Sequence, residues 1–145
     1  MELSFAPVKK EEAKRLNPVT LAFLGDAVYS LFVRETLVKK TSGKAFELQK
    51  AAAIIVSAVG QSEFFARIES VLSEEETEIY RRGRNAKKGA KAKHASVADY
   101  NRSTGFEAVL GYLWLIGEKE RIAFLLGQDD ETRYVAVKNA EGLKP

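Results

Sequence analysis

The chain has 145 residues, 46% of them hydrophobic and 30% charged, with a formal net charge of +3. That is enough apolar content for one globular domain with its own core. It contains no cysteine and one histidine, His94, which excludes disulfide frameworks, thiolate metal sites, cysteine nucleophiles and any site built from several imidazoles.

Residues 1–16 carry mixed charge and weak periodicity, and read as a lead-in with little structure. Met1 to Glu12 has no apolar h-region, so no secretory signal is expected. No apolar run is long enough to span a bilayer, and a cytoplasmic protein without membrane association is the default. Asn17-Pro18 is a helix start, with Asn as N-cap and Pro at the first helical position. Leu21, Leu24, Val28, Leu31 and Phe32 recur at helical spacing to about Val38. Lys39 and Lys40 suit the C-terminal end, and Thr41-Ser42-Gly43 reads as the following loop. A second helix is expected from Ala45 to Val59, interrupted by Gly60, and a third from Ser62 to Val71.

Ser73-Glu74-Glu75-Glu76 is a capping-box start with acids in the first turn. Its helix runs through Ile79 and Tyr80 to about Arg82 and ends near Gly83. From Arg81 to His94 there are seven basic residues (Arg81, Arg82, Arg84, Lys87, Lys88, Lys91, Lys93) and no acid. The rest of the chain therefore carries −4, the total of +3 less these seven. Such a cluster is the footprint expected for a polyanion, or alternatively a solvated charge run. The stretch to Ala95 lacks large apolar residues and reads as an exposed, mobile loop. Ser96-Val97-Ala98-Asp99 starts another helix, leading into Tyr100 to Ile116. Gly117 punctuates, Glu118 to Leu126 forms a last short helix, and Asp129 to Pro145 is a polar tail expected to be poorly ordered. The reading is all-α, with one domain over 1–128.

Two of these helices carry an isolated acid. Asp26 is the only charge between Arg15 and Arg34, and Glu107 is the lone acid in Phe106 to Trp114, eighty-one residues later. Each has a glycine close by, Gly25 and Gly111. A carboxylate on an apolar face is costly unless compensated. Glycines let helices approach closely, so the two acids are expected to meet where the helices cross. Facing carboxylates repel unless a cation or a proton lies between them. Val19 and Ala22 share the Asp26 face, and Ser103, Thr104 and Gly111 share the Glu107 face. Mg²⁺ wants oxygen ligands and is held by one or two carboxylates plus substrate phosphates, which Asp26 and Glu107 could supply. The bland alternative pairs Asp26 with an arginine or a helix end and leaves Glu107 on the surface. Phe64, Phe65 and Trp114 read as core. The serines and threonines near the acids have no partner base, so a side-chain nucleophile is not expected.

These residues resemble a family. Phe23-Leu24-Gly25-Asp26-Ala27-Val28 is similar to the core of the ribonuclease III signature, and Phe106-Glu107-Ala108-Val109-Leu110-Gly111 to that family's second acidic helix. Arg82-Gly83-Arg84-Asn85-Ala86-Lys87 and Arg102-Ser103-Thr104-Gly105-Phe106-Glu107 resemble one branch, the Mini-III ribonucleases, over roughly residues 16–127. The resemblance implies an all-helical, homodimeric endoribonuclease domain that hydrolyses double-stranded RNA with Mg²⁺, for which Mn²⁺ can substitute. Asp26 and Glu107 are then the catalytic metal ligands. The RNA-binding set is Arg81, Arg82, Arg84, Asn85, Lys87, Lys88, Lys91 and Lys93. It further implies maturation of 23S ribosomal RNA precursor ends, aided by a large-subunit ribosomal protein. Where larger ribonuclease III enzymes carry further carboxylates, this chain has Val19, Ala22 and Thr104, which favours a single metal. Too few residues follow Leu126 for a separate double-stranded-RNA-binding domain, so the catalytic dimer is expected to grip RNA itself. A non-catalytic RNA-binding or ribosome-associated dimer on the same fold is the rival. A helical protein–protein module is the third reading.

Overall fold

The computed structural model describes residues 3–88 and 95–128. The 129–145 tail and the positions of Lys91, Lys93 and His94 lie outside the described residues. Among those described there is no strand; seven α-helices build the domain. They are α1 (Lys10–Arg15), α2 (Pro18–Lys40), α3 (Ala45–Val56), α4 (Ala58–Ile68), α5 (Glu74–Asn85), α6 (Val97–Leu115) and α7 (Lys119–Leu126). No single described helix is long and apolar enough to cross a membrane.

Helix α6 is the axis, with α2, α5 and α4 packed around it. Its middle, Ser103 to Phe106 and Ala108 to Leu113, is buried on almost every side, which is why its sequence shows no clear polar face. Helix α2 buries Leu21, Gly25, Val28, Tyr29, Val33 and Leu37; of the face read from the sequence, Leu21 and Val28 are buried, Leu24 and Phe32 half-buried, and Leu31 points to solvent. Tyr29, Phe64 and Phe106 meet edge-on or stacked, and Phe65 stacks on Tyr80 at 4.0 Å between ring centroids. Phe64 and Phe65 are core as expected; Trp114 is half-buried under Lys119.

The local start signals act as read. Asn17 accepts from Val19 N at 2.8 Å, Ser96 accepts from Asp99 N at 3.0 Å, and Ser73 with Glu76 forms the capping box. Three expectations are corrected. First, the lead-in contains α1: Ala13 is fully buried, and the Arg82 guanidinium donates to the Lys14 and Leu16 carbonyls at 2.9 and 3.1 Å. A side chain distant in sequence thus ends a helix too short to stand alone. Second, the chain breaks at Ser57, not at Gly60. Ser57 Oγ accepts from Gly60 N at 3.0 Å and starts α4, which meets α3 at 59°. Third, Gly83 lies inside α5. It is there for close packing, since a Cβ would come within 2.9 Å of Gly105 Cα on α6. Arg84 and Asn85 therefore sit on the helix rather than in the loop expected after Gly83.

Glu76 also ties α5 to α7. Its carboxylate is buried and accepts two hydrogen bonds from Arg121, both at 2.8 Å. Burial alone would raise its pKa. The Arg121 guanidinium and the Ser73 backbone N–H outweigh that and hold it below the ordinary 4.5. Arg121→Met leaves that buried charge without its partner. It should destabilise the domain by about 2–3 kcal/mol at pH 7, discounted for the part-exposed Arg121. A depressed carboxylate pKa stabilises fully above the unfolded value and loses that contribution as pH falls through the folded one. The gap between native and variant unfolding midpoints should thus be full above pH 4.5 and close below it. A gap that widens in acid would refute the assignment.

Candidate active site

Where α2 crosses α6, the two backbones touch. A Cβ on Gly25 would land on the Glu107 carbonyl oxygen, and one on Gly111 would land on the Leu21 carbonyl oxygen. The two glycines therefore face each other's helix, and this crossing sets Asp26 of α2 beside Glu107 of α6. The Asp26 carboxyl lies close enough to that of Glu107 to disfavour its charged form. Among the described residues, no basic side chain pairs with either acid, and both lie mid-helix, so the bland alternative fails. The burial is unequal, however: Asp26 is exposed, whereas Glu107 is half-buried.

Both acids line an open cavity of about 360 Å³ with Val19, Ala22, Gln61, Lys88, Ser103 and Thr104. Burial first, then the neighbouring Asp26 carboxyl, pushes Glu107 up to about 9, against a smaller opposing pull from Gln61. Gln61, which no sequence motif marked, is 3% exposed and donates from Nε2 to Glu107 Oε2 at 3.4 Å. Ser103 and Thr104 hydroxyls both donate to the Tyr100 carbonyl, at 2.7 and 3.0 Å.

The site chemistry suits a hard divalent cation. The candidate ligands are oxygens: two carboxylates that need a positive partner, in a cavity that the Gln61 side chain also lines. Two carboxylates plus water is a coordination set that Mg²⁺ accepts.

The basic residues separate into distinct places. Lys88 turns toward this cavity, and its Nζ donates to the Arg84 and Ala86 carbonyls at 3.1 and 2.8 Å, closing the end of α5. Burial lowers its pKa. Arg84 and Asn85 line a second cavity of about 660 Å³ with Tyr80, Asn101 and Arg102. There the Arg84 guanidinium lies 5.5 Å from the Tyr80 ring centroid. Arg81 and Lys87 are exposed. Arg82 is engaged with α1. Lys91 and Lys93 lie outside the described residues.

Comparison with known proteins agrees with this geometry. The ribonuclease III domain family matches residues 19–118. A Mini-ribonuclease 3 from Brevibacillus brevis is 46% identical over 125 residues, covering 83% of this chain and 93% of its own. One from Clostridium tetani is 43% identical over 114 residues, covering 78% and 76%. A crystal structure of a Fusobacterium nucleatum protein superposes with a TM-score of 0.73 at 28% identity, over 80% of this chain and 93% of that one. The paired glycines, the paired acids and these likenesses over most of the chain lead to one conclusion: the chain belongs to the ribonuclease III family, in its Mini-ribonuclease 3 branch, and is an endoribonuclease.

Proposed function

We propose that this endoribonuclease cuts double-stranded RNA with one hard divalent cation, Mg²⁺ or Mn²⁺, held by Asp26 and Glu107. The observation that carries the reading is the carboxylate pair at the helix crossing, with the basic end of α5 beside it. Such a cation, when bound, neutralises charge building on the scissile phosphate and activates a water for attack. The protein's own part is to hold the two acids in place. Lys88 adds positive charge at the rim of the same cavity. The Ser103 and Thr104 hydroxyls stay bonded to the Tyr100 carbonyl, which supports hydrolysis by water rather than a covalent enzyme intermediate.

A homodimer would set two such sites across one A-form helix, each cutting one strand. The outer face of α2 supports a second copy: Phe23 and Leu31 are 82% and 62% exposed on the helix that carries Asp26. Duplex RNA is read mostly by shape and 2′-OH contacts. The likeness to the Mini-ribonuclease 3 branch supports 23S ribosomal RNA precursor as the substrate, with a large-subunit ribosomal protein as helper and a cytoplasmic location.

The basic segment is tested by salt. Replacing Lys87, Lys91 and Lys93 with alanine should flatten the dependence of log Kd on log salt by about 0.9 for each phosphate that is no longer neutralised. The slope is measured by duplex-RNA binding in EDTA. An unchanged slope would take this segment off the RNA.

A further inference from the structure

Gln61 sits in α4 on the same buried face as Phe64, Phe65 and Ile68, where an apolar side chain would pack. Its Nε2 donates to the Val56 carbonyl at 2.9 Å and reaches Glu107 Oε2 at 3.4 Å. Its Oε1 is buried and has no hydrogen-bond partner among the described residues. The Val56 carbonyl in front of Nε2 can only accept, so turning the amide around would aim oxygen at oxygen. An unpaired buried carbonyl destabilises a fold. Gln61 is therefore a poor choice for the core and a good one for Glu107.

We propose that Gln61 is a positioning residue: it holds the Glu107 carboxylate toward Asp26, so that the two acids form a ready oxygen pair before RNA arrives. A glutamate side chain has several rotamers, and fixing one in advance removes that ordering from the binding step. The start of α4 is itself fixed, by the Ser57 cap and by Gly60, where a Cβ would come within 2.5 Å of the Ile55 carbonyl. Partners that orient a metal ligand typically matter tenfold or more in metal affinity. The inference rests on the cation reading above, and its test separates the two.

Gln61→Leu and Gln61→Met are compared with the native full chain, without RNA, by Mn²⁺ titration followed by electron paramagnetic resonance and by thermal unfolding in EDTA. Both variants should bind Mn²⁺ about tenfold more weakly, while remaining cooperatively folded in EDTA. Unchanged Mn²⁺ affinity would overturn the positioning role and leave the cation site standing. A lower melting temperature with Mn²⁺ affinity unchanged would make Gln61 a structural residue bonded to Val56 alone and overturn it also. Absence of Mn²⁺ binding by the native chain would overturn the cation reading and this inference together.

Discussion

Gly25→Ala should lower the unfolding free energy by about 3 kcal/mol or more, at or beyond the upper end of overpacking substitutions. The new Cβ would occupy the space of the Glu107 carbonyl oxygen. That atom is backbone in the middle of the most buried helix, so no side chain can swing aside. The only relief is for α2 to move off α6, which also parts Asp26 from Glu107. Of a total stability of about 5–15 kcal/mol for a domain of this kind, this is a large share. Urea unfolding read by circular dichroism gives the number. Gly111→Ala, whose Cβ would meet the Leu21 carbonyl oxygen, should behave alike. The exposed neighbour Ala27 supplies the control, because Ala27→Ser leaves the core packing as it is. A Gly25→Ala protein with native midpoint and native cleavage would disprove the close crossing.

Asp26→Asn and Glu107→Gln should each reduce cleavage of a long duplex RNA in Mg²⁺ by about a thousandfold, equivalent to about 4 kcal/mol of transition-state stabilisation. The fold should survive both. In Glu107→Gln, a half-buried ionisable group beside another acid is replaced by a neutral one of the same shape. Its melting temperature in EDTA should therefore equal or exceed that of the native protein. Together, the pattern distinguishes a functional pair from a structural one: activity falls while stability does not. Full cleavage by either variant would remove that acid from the chemistry. A variant that neither cleaves nor folds would return its acid to the core.

Much of this was legible in the sequence, for reasons that lie within a few residues. Asn17, Ser73 and Ser96 announce helix starts because a short side-chain oxygen caps a backbone N–H two or three positions on. Asp26 and Glu107 stand out because each interrupts an apolar run. What sequence reading missed depends on partners far along the chain. Helix α1 exists because Arg82 reaches its last carbonyls, and nothing near residue 10 signals that. Gly83 reads as a stop, yet α5 continues through it because α6 comes close at Gly105. Gln61 carries no charge to mark it. The available signal was a polar residue at core spacing with Phe64, Phe65 and Ile68.

The sequence by itself determined an all-α domain, most of its helix starts, and the two acids with the glycines beside them. These follow from hydrogen bonds and periodicities that close within one or two helical turns. Only the tertiary structure decided that Asp26 stays exposed while Glu107 is half-buried with its pKa raised, that Lys88 faces the acids while Arg82 serves the fold, and that Gln61 reaches Glu107. Burial and electrostatic coupling are set by which helices pack against which, and that packing joins residues dozens of positions apart.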